Sequence, residues 1–332
     1  MNKTRMSFMG LTSLCILLTL AAKTQNPPRL AVPNPGAVKR YKIVRLPLQP
    51  LGLSESGEIV GKTDSGHPAV WSRQEGLREL PRLDGFPEGQ ASAINGLGEV
   101  VGFVTATNPG RSQAFLYRNG RLVPLAGERS KALAINDAGQ IVGESAVRGK
   151  IPTTPVLWKD GSVIDLGSCC GGTAVGINRQ GFLVGNVYDE QGRYRAFLWD
   201  QFHGTHLLGE AGSYSAAVAI NDQGHVVVQE FDKGVFLYEP DRSTRVAPSI
   251  TRALDARGMN NRDSVVGTFT VHADLIHAFI WTKEHGFQDL NDLAGDSRWM
   301  LEVANGINDH GEIVGWGDFD NTEDVGFLLI PE

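Results

Sequence analysis

Cysteine is nearly missing from this chain: 332 residues hold three, at Cys15, Cys169 and Cys170. Neighbouring cysteines rarely bridge each other, because the small ring strains the peptide, so no disulfide framework supports the fold. There is no run of Lys or Arg, and the formal charge is −6, which leaves no electrostatic footprint for nucleic acid. Gly-x-Ser-x-Gly and Gly-x-x-x-x-Gly-Lys-Ser/Thr are both missing, which removes the nucleophile elbow and the phosphate-cradling loop. Cys-x-x-Cys is missing too, and Cys169-Cys170 reads as a pair of inert thiols. The one Asn-x-Ser/Thr match outside a Pro context is Asn2-Lys3-Thr4. Amphipathic helical patterning is absent as well, and 40 glycines argue against a helical repeat.

What is abundant is repetition. A small residue, Ile, Asn, two variable residues, Gly, an apolar pair and Gly recur seven times, as in Ala134-Ile135-Asn136-Asp137-Ala138-Gly139-Gln140-Ile141-Val142-Gly143. The Asn position falls at Ser54, Asn95, Asn136, Asn178, Asn221, Asn260 and Asn308, with spacings of 41, 41, 42, 43, 39 and 48. Downstream in each unit comes an apolar-aromatic run: Ala69-Val70-Trp71, Ala114-Phe115-Leu116-Tyr117, Val156-Leu157-Trp158, Ala196-Phe197-Leu198-Trp199, Val235-Phe236-Leu237-Tyr238, Ala278-Phe279-Ile280-Trp281 and Gly326-Phe327-Leu328-Leu329. Counting the short apolar segment after the next turn Gly, each unit holds four strand-like runs, the content of one propeller blade. The Asn-x-x-Gly stretch predicts a hairpin turn in which Asn bonds the backbone and Gly supplies the positive φ. Apolar residues at successive positions suit strands buried on both faces.

The last unit ends on its third strand, and Tyr41-Lys42-Ile43-Val44-Arg45-Leu46 precedes the first unit with no partner of its own. The chain is therefore predicted to be all-β, a seven-bladed β-propeller over residues 41–332 with three-plus-one closure, the N-terminal strand completing the last blade and leaving no raw edge. An open β-solenoid is the alternative, in which Tyr41–Leu46 pairs with nothing in the final unit.

Residues 1–25 read as a signal peptide: Lys3 and Arg5, an apolar stretch over 6–20, then Ala21-Ala22. Cleavage there would take the formal charge from −6 to −8, and an uncleaved membrane anchor is the rival. Leu14 before Cys15 does not suit a lipoprotein box. Residues 26–40 are a Pro-rich linker. Together with the scarcity of disulfides, this points to a bacterial secreted or periplasmic protein.

The repeat, with its Ala-Ile-Asn-x-x-Gly-x-Val-Val-Gly core and a later His/Gln-Ala-Phe-Leu-Trp/Tyr element, resembles the HAF class of probable extracellular repeat proteins of bacteria. His277-Ala278-Phe279 is a literal instance, and Gln113-Ala114-Phe115 and Arg195-Ala196-Phe197 are near ones. Departures are Leu53-Ser54 in the first unit, Val228 for Gly in the fifth and Asp263 at the turn Gly of the sixth. The resemblance spans residue 41 to the C-terminus. It implies an exported repeat protein of no established activity and hands on no catalytic residues and no cofactor.

Candidate sites follow from the predicted fold. The connection between blades and the loop between second and third strands open on one face, and these segments differ most between units, as at 143–155 and 186–195. The connections carry Gln90, Arg129, Lys131, Cys170, Tyr214, Arg252, Arg298 and Trp299. Arg129, Tyr214, Arg252, Arg298 and Trp299 are the expected ligand-binding set, because Arg and aromatics dominate recognition, and a mouth rich in Arg suits an acidic glycan or carboxylate. The repeated Asn and the Trp/Tyr series are read as turn and core residues. Asp318, Asp320 and Asp324 imitate the start of a calcium loop. That loop would want Gly at the sixth position and Glu where Leu329 stands, so the segment reads as a solvated loop. His203 and His206 lack further ligands for zinc. The expected function is an exported binding scaffold for a cell-envelope or extracellular polymer or a protein partner. A propeller glycan hydrolase or lyase using Glu128, Glu210 and Asp296 is the alternative, and a purely structural envelope repeat protein is the third.

Overall fold

In the computed structural model, the described residues are 40–332 apart from 109, 148–151, 168–169, 232, 240–253 and 273–274. The expected signal peptide and, except for Arg40, the linker lie outside them. Seven antiparallel sheets form the blades. Their innermost strands are Gln49–Leu53, Glu88–Ile94, Glu128–Ile135, Gly172–Ile177, Ser215–Ile220, Leu254–Met259 and Trp299–Ile307. Each blade then meanders outward in chain order. The fifth shows three strands among the described residues, and the others have four. In the seventh, Ile313–Phe319 and Thr322–Pro331 follow the innermost strand, and Tyr41–Leu46 pairs along Thr322–Pro331 from Tyr41 opposite Pro331 to Leu46 opposite Gly326. Both chain ends thus share one sheet, and Glu332 N donates to the Arg40 carbonyl at 2.9 Å.

Every innermost strand carries a bulge at the same place, absorbing Leu51, Ser92, Leu133, Val175, Val218, Arg257 and Asn305. The bulge explains the last Gly of the repeat. A Cβ on Gly143 would stand 1.9 Å from the Lys131 carbonyl oxygen, and one on Gly102 would stand 2.0 Å from that of Gln90. The small residue that opens the repeat marks where neighbouring inner strands touch, since a Cβ on Gly258 would meet the Asn305 oxygen at 3.1 Å. The aromatic series lies in the core clusters between blades: Trp158 is 3% exposed and Trp281 7%, and Trp71, Tyr117, Trp199 and Tyr238 pack against the same clusters.

The repeated Asn does more than form its turn. In the third blade, Asn136 Oδ1 accepts the Ala138 and Gln140 amides at 3.1 and 3.0 Å, closing the turn. Its Nδ2 donates to Gln140 Oε1 at 2.8 Å and to the Asn178 carbonyl of the next blade at 3.0 Å. The link recurs around the ring, from Asn95 to Asn136, Asn178 to Asn221, Asn221 to Asn260, Asn260 to Asn308 and Asn308 to Ser54, at 2.9–3.4 Å. A second tier joins the residue after five of the six Asn to its neighbour: the Gly96, Arg179, Asp222, Asn261 and Asp309 amides donate to side-chain oxygens of Asp137, Asp222, Asn261, Asp309 and Glu55. All six Asn are buried.

Asp263, the departure from Gly in the sixth unit, holds φ at 59° and makes use of its side chain. Its buried carboxylate accepts from Asn221 Nδ2 at 2.9 Å, His225 Nδ1 at 2.8 Å and Lys283 Nζ at 2.6 Å. What a non-Gly residue loses in backbone freedom is offset by a cross-blade network. Burial pushes the Asp263 carboxyl up, but the hydrogen bonds from Lys283 and His225 outweigh it and hold the group below the usual carboxylate range.

The belt is interrupted between the first and second blades. Ser54 Oγ closes its own turn by accepting the Glu58 amide at 3.0 Å, but it is too short to reach Asn95, and Gly96 offers no side-chain acceptor to Glu55. Asn136→Ala is expected to lower the unfolding free energy by about 2–3 kcal/mol, because buried turn amides lose their acceptor along with the link. Ser54→Asn, which supplies the missing donor, is expected to raise it by about 0.5–1 kcal/mol. Urea denaturation of the two variants beside the parent checks both signs.

Candidate functional site

With the turns belted at one end of the blades, the connections between blades and the loops between second and third strands emerge at the other. The described members of the expected ligand set, Arg129, Tyr214, Arg298 and Trp299, belong to that end. Arg129 is exposed, with φ of 47°. Tyr214 is 49% exposed at the end of the 208–214 connection, and its carbonyl accepts the Phe231 amide. Arg252 lies outside the described residues. Arg298 is clamped to Asp296 by bonds of 2.7 and 3.0 Å and lies 5.5 Å from the Phe319 ring centre. Trp299 is corrected to a core residue: it is 9% exposed and packs on Phe319 and Phe327 with ring centres 4.9 and 6.1 Å away. It begins the innermost strand, where a large ring fills the gap beside the seventh blade and presents no face for stacking.

The proposed catalytic carboxylates are likewise tied up. Glu210 pairs with Lys233 and Asp296 with Arg298, which holds the Asp296 carboxyl below the usual range. The side chain of Glu128 lies outside the described residues. Asp318, Asp320 and Asp324 are spread along a strand hairpin. Asp320 and Asn321, with φ of 49° and 65°, form a two-residue turn between Ile313–Phe319 and Thr322–Pro331, so the expected solvated loop is a tight β-turn. Among the described residues no group of three or more His, Cys, Asp or Glu is placed to hold a metal ion. His203 Nδ1 bonds Asp200 at 3.0 Å.

Two clusters at the loop end were missed. The first surrounds Glu302, which occupies a second bulge in Trp299–Ile307, between Leu301 and Val303. Burial pushes its carboxyl up from 4.5 to about 7, helped by Asp318, Asp324 and Glu323 and opposed by His277. His277, the literal His of the repeat element, bonds Asp289 Oδ2 at 2.6 Å, while Asp289 Oδ1 caps the short helix Leu290–Ala294 through the Asn291 amide. The residue at this place has a common task. Gln113 reaches the Leu125 carbonyl at 2.7 Å, His67 reaches Glu79 at 3.4 Å and Arg195 reaches the Glu210 carbonyl at 3.4 Å, each holding the outer strand or the connection leaving it. The second cluster gathers Arg195, Glu210, Glu230 and Lys233 between the fourth and fifth blades. Spacing alone showed neither: Glu302 is displaced from the regular pleat by an extra bulge, and Arg195 and Glu230 come to one blade junction only once blades stack.

The sequence matches no family model and no curated protein. Solved structures are similar in fold. The β-propeller domain of the Trilobed protease from Pyrococcus furiosus aligns with a TM-score of 0.57 at 11% identity, over 88% of this chain and 98% of that one. U3-55K aligns at 0.55 and 12%, over 87% and 98%. Virginiamycin B lyase from Staphylococcus aureus aligns at 0.54 and 11%, over 87% and 99%. Likeness at this identity establishes a propeller and leaves activity open.

Glu302 gives a pH test. Below pH 4.5 it is protonated folded or unfolded and costs nothing. As pH rises toward 7 the unfolded chain releases the proton while the folded chain retains it, so stability falls across that window. Glu302→Gln should therefore match the parent at pH 4 and exceed it at pH 8 by on the order of 1 kcal/mol, a figure discounted for solvent screening of a half-buried group. Chemical denaturation at the two pH values measures the difference.

Proposed function

We propose that this chain is an exported binding scaffold whose loop face recognises a cell-envelope or extracellular polymer or a protein partner. One contrast carries this reading. At the turn end the repeated polar groups satisfy one another around the ring, so little is left for a ligand. At the loop end the units diverge, and charged side chains sit buried with atoms lacking hydrogen bonds, Arg195 Nε and Glu230 Oε2 among them. The leader-like residues 1–25 and the resemblance to the HAF class support export to the periplasm or beyond the cell. A glycan hydrolase or lyase is the second reading, favoured by one observation: Glu302 combines a carboxyl titrating near neutrality with acidic neighbours, a combination frequent at acid–base sites.

Capture on immobilised cell-wall and extracellular polymers tests the scaffold. Arg129→Glu combined with Arg298→Glu should reduce retention about tenfold or more, since charged rim groups govern such encounters. Arg179→Glu, an exposed change on the belted end, should leave it unaltered. The reverse pattern would assign binding to the turn face. Glycan cleavage by the parent that disappears in Glu302→Gln would establish the enzyme reading instead.

A further inference from the structure

Arg195 stands in the third strand of the fourth blade, Tyr194–Asp200, and is 5% exposed. Its Nη2 reaches the Glu210 carbonyl at 3.4 Å, its Nε has no partner, and among the described residues no carboxylate lies within ion-pair distance of it. Glu230 ends the second strand of the fifth blade, Val226–Glu230, and is 2% exposed. Its Oε1 accepts the Tyr238 hydroxyl at 2.7 Å, while Oε2 accepts no hydrogen bond and has Lys233 Nζ at 3.5 Å. Ser215 separates the two groups: its Oγ accepts the amide of Ala196, next to Arg195, at 3.0 Å, and its backbone pairs with Glu230. The 208–214 connection passes beside both. A Cβ on its Gly209 would lie 3.6 Å from Glu230 Oε1, Glu210 pairs with Lys233, and Tyr214 ends it with an exposed ring.

Withdrawing a guanidinium from water without a counter-ion is strongly unfavourable, and native structures complete such groups with an anion. Here the neighbouring carboxylates are engaged elsewhere, Glu210 by Lys233 and Glu230 by Tyr238. The unmet needs are the Nε donor of Arg195, which matches a carboxylate oxygen, and one acceptor on Glu230, which matches a hydroxyl. The exposed Tyr214 ring supplies an apolar face of the kind on which a sugar ring lies.

We infer that the junction of the fourth and fifth blades binds an acidic sugar residue, its carboxylate on Arg195, a hydroxyl on Glu230 and its ring against Tyr214. This rests on the loop-face reading and names its ligand chemistry. The hydroxyl accounts for the free oxygen of Glu230 with no charge added beside Lys233.

Titration calorimetry of the whole protein with a galacturonate oligomer, its methyl ester and the matching neutral oligosaccharide tests the site. The acid should bind about tenfold or more tightly than the ester or the neutral oligomer, as expected of a charge-assisted contact. Arg195→Met should abolish that preference, and Tyr214→Ala should weaken the acid and the ester alike by about fivefold. If Arg195→Met does not fold, the comparison of acid with ester and the exposed Tyr214→Ala change decide the matter. Equal affinity for acid and ester, absence of acid binding, or an acid preference that persists in folded Arg195→Met would overturn the site. Polymer retention through the loop face by a protein indifferent to the acid would overturn this inference and leave the scaffold standing. Loss of all loop-face retention would remove both.

Discussion

Six buried asparagine amides hold the ring in register, each doing two things at once. Oδ1 accepts backbone amides of its own turn and Nδ2 donates to the carbonyl of the following turn. A hydrogen bond in such a setting adds only about 1 kcal/mol net, but leaving its partners unmet costs more, so each blade makes its neighbour's turn expensive to disturb. Propeller blades otherwise meet through apolar faces, which supply energy without fixing an angle. The belt supplies the angle. It also explains why the repeat tolerates Asp263 for Gly, where a carboxylate takes over bonding across the junction, and why Ser54 leaves a gap.

That gap sits away from the seam where the chain ends meet. Between the seventh and first blades, Asn308 reaches the Ser54 carbonyl, Asp309 bonds Glu55, Asn305 donates to the Pro50 carbonyl at 2.9 Å and Glu312 pairs with Arg73. Between the first and second blades the belt makes no bond, and the junction is held by the Val60–Phe115 core cluster and by the Gly89 amide on the Gly66 carbonyl at 2.8 Å, near the loop end. The seventh and first blades, which the chain joins directly from Tyr41–Leu46 into Gln49–Leu53, are thus also tied at both tiers, whereas the first two blades do without either.

Committing the turns to one another divides the molecule's labour. Polar groups that satisfy their neighbours have little left to offer a ligand, whereas connections at the other end are free to differ. Buried charge with unmet hydrogen bonds, at Arg195 and Glu230, and a carboxyl raised toward neutrality, at Glu302, lie there. Both depend on departures from the repeat: Arg stands where the element has His or Gln, and a second bulge displaces Glu302 from the regular pleat.

The blade count, the turn type and the core role of the aromatic series could be read from the sequence, because each is a local pattern repeated seven times. Asn-x-x-Gly specifies its turn wherever it occurs, and Gly139 and Gly311 hold φ of 71° and 81° accordingly. The bulge in every inner strand was illegible, since Ala-Leu-Ala or Ala-Val-Gly looks like ordinary strand, and so was the link from each Asn to the next, which needs neighbours in space. Site residues fared worst. Trp299 looked like a recognition residue because it lies near a blade connection, but it enters the core one residue after Arg298. Pairing also decides availability: Glu210, Asp296 and Arg298 are charged in any reading of the sequence, and only the folded chain shows that they neutralise Lys233 or one another.

Hydrogen exchange followed residue by residue on the intact ring tests the central claim most directly. If the belt fixes the propeller, the amides of Gln140, Phe182, His225, Ser264 and Glu312, which donate to the repeated Asn from exposed-looking turns, will exchange as slowly as the middle strands of their blades. The connections at the opposite end will exchange faster. Turn amides that exchange as fast as those connections would contradict the account, leaving the ring held by apolar packing alone.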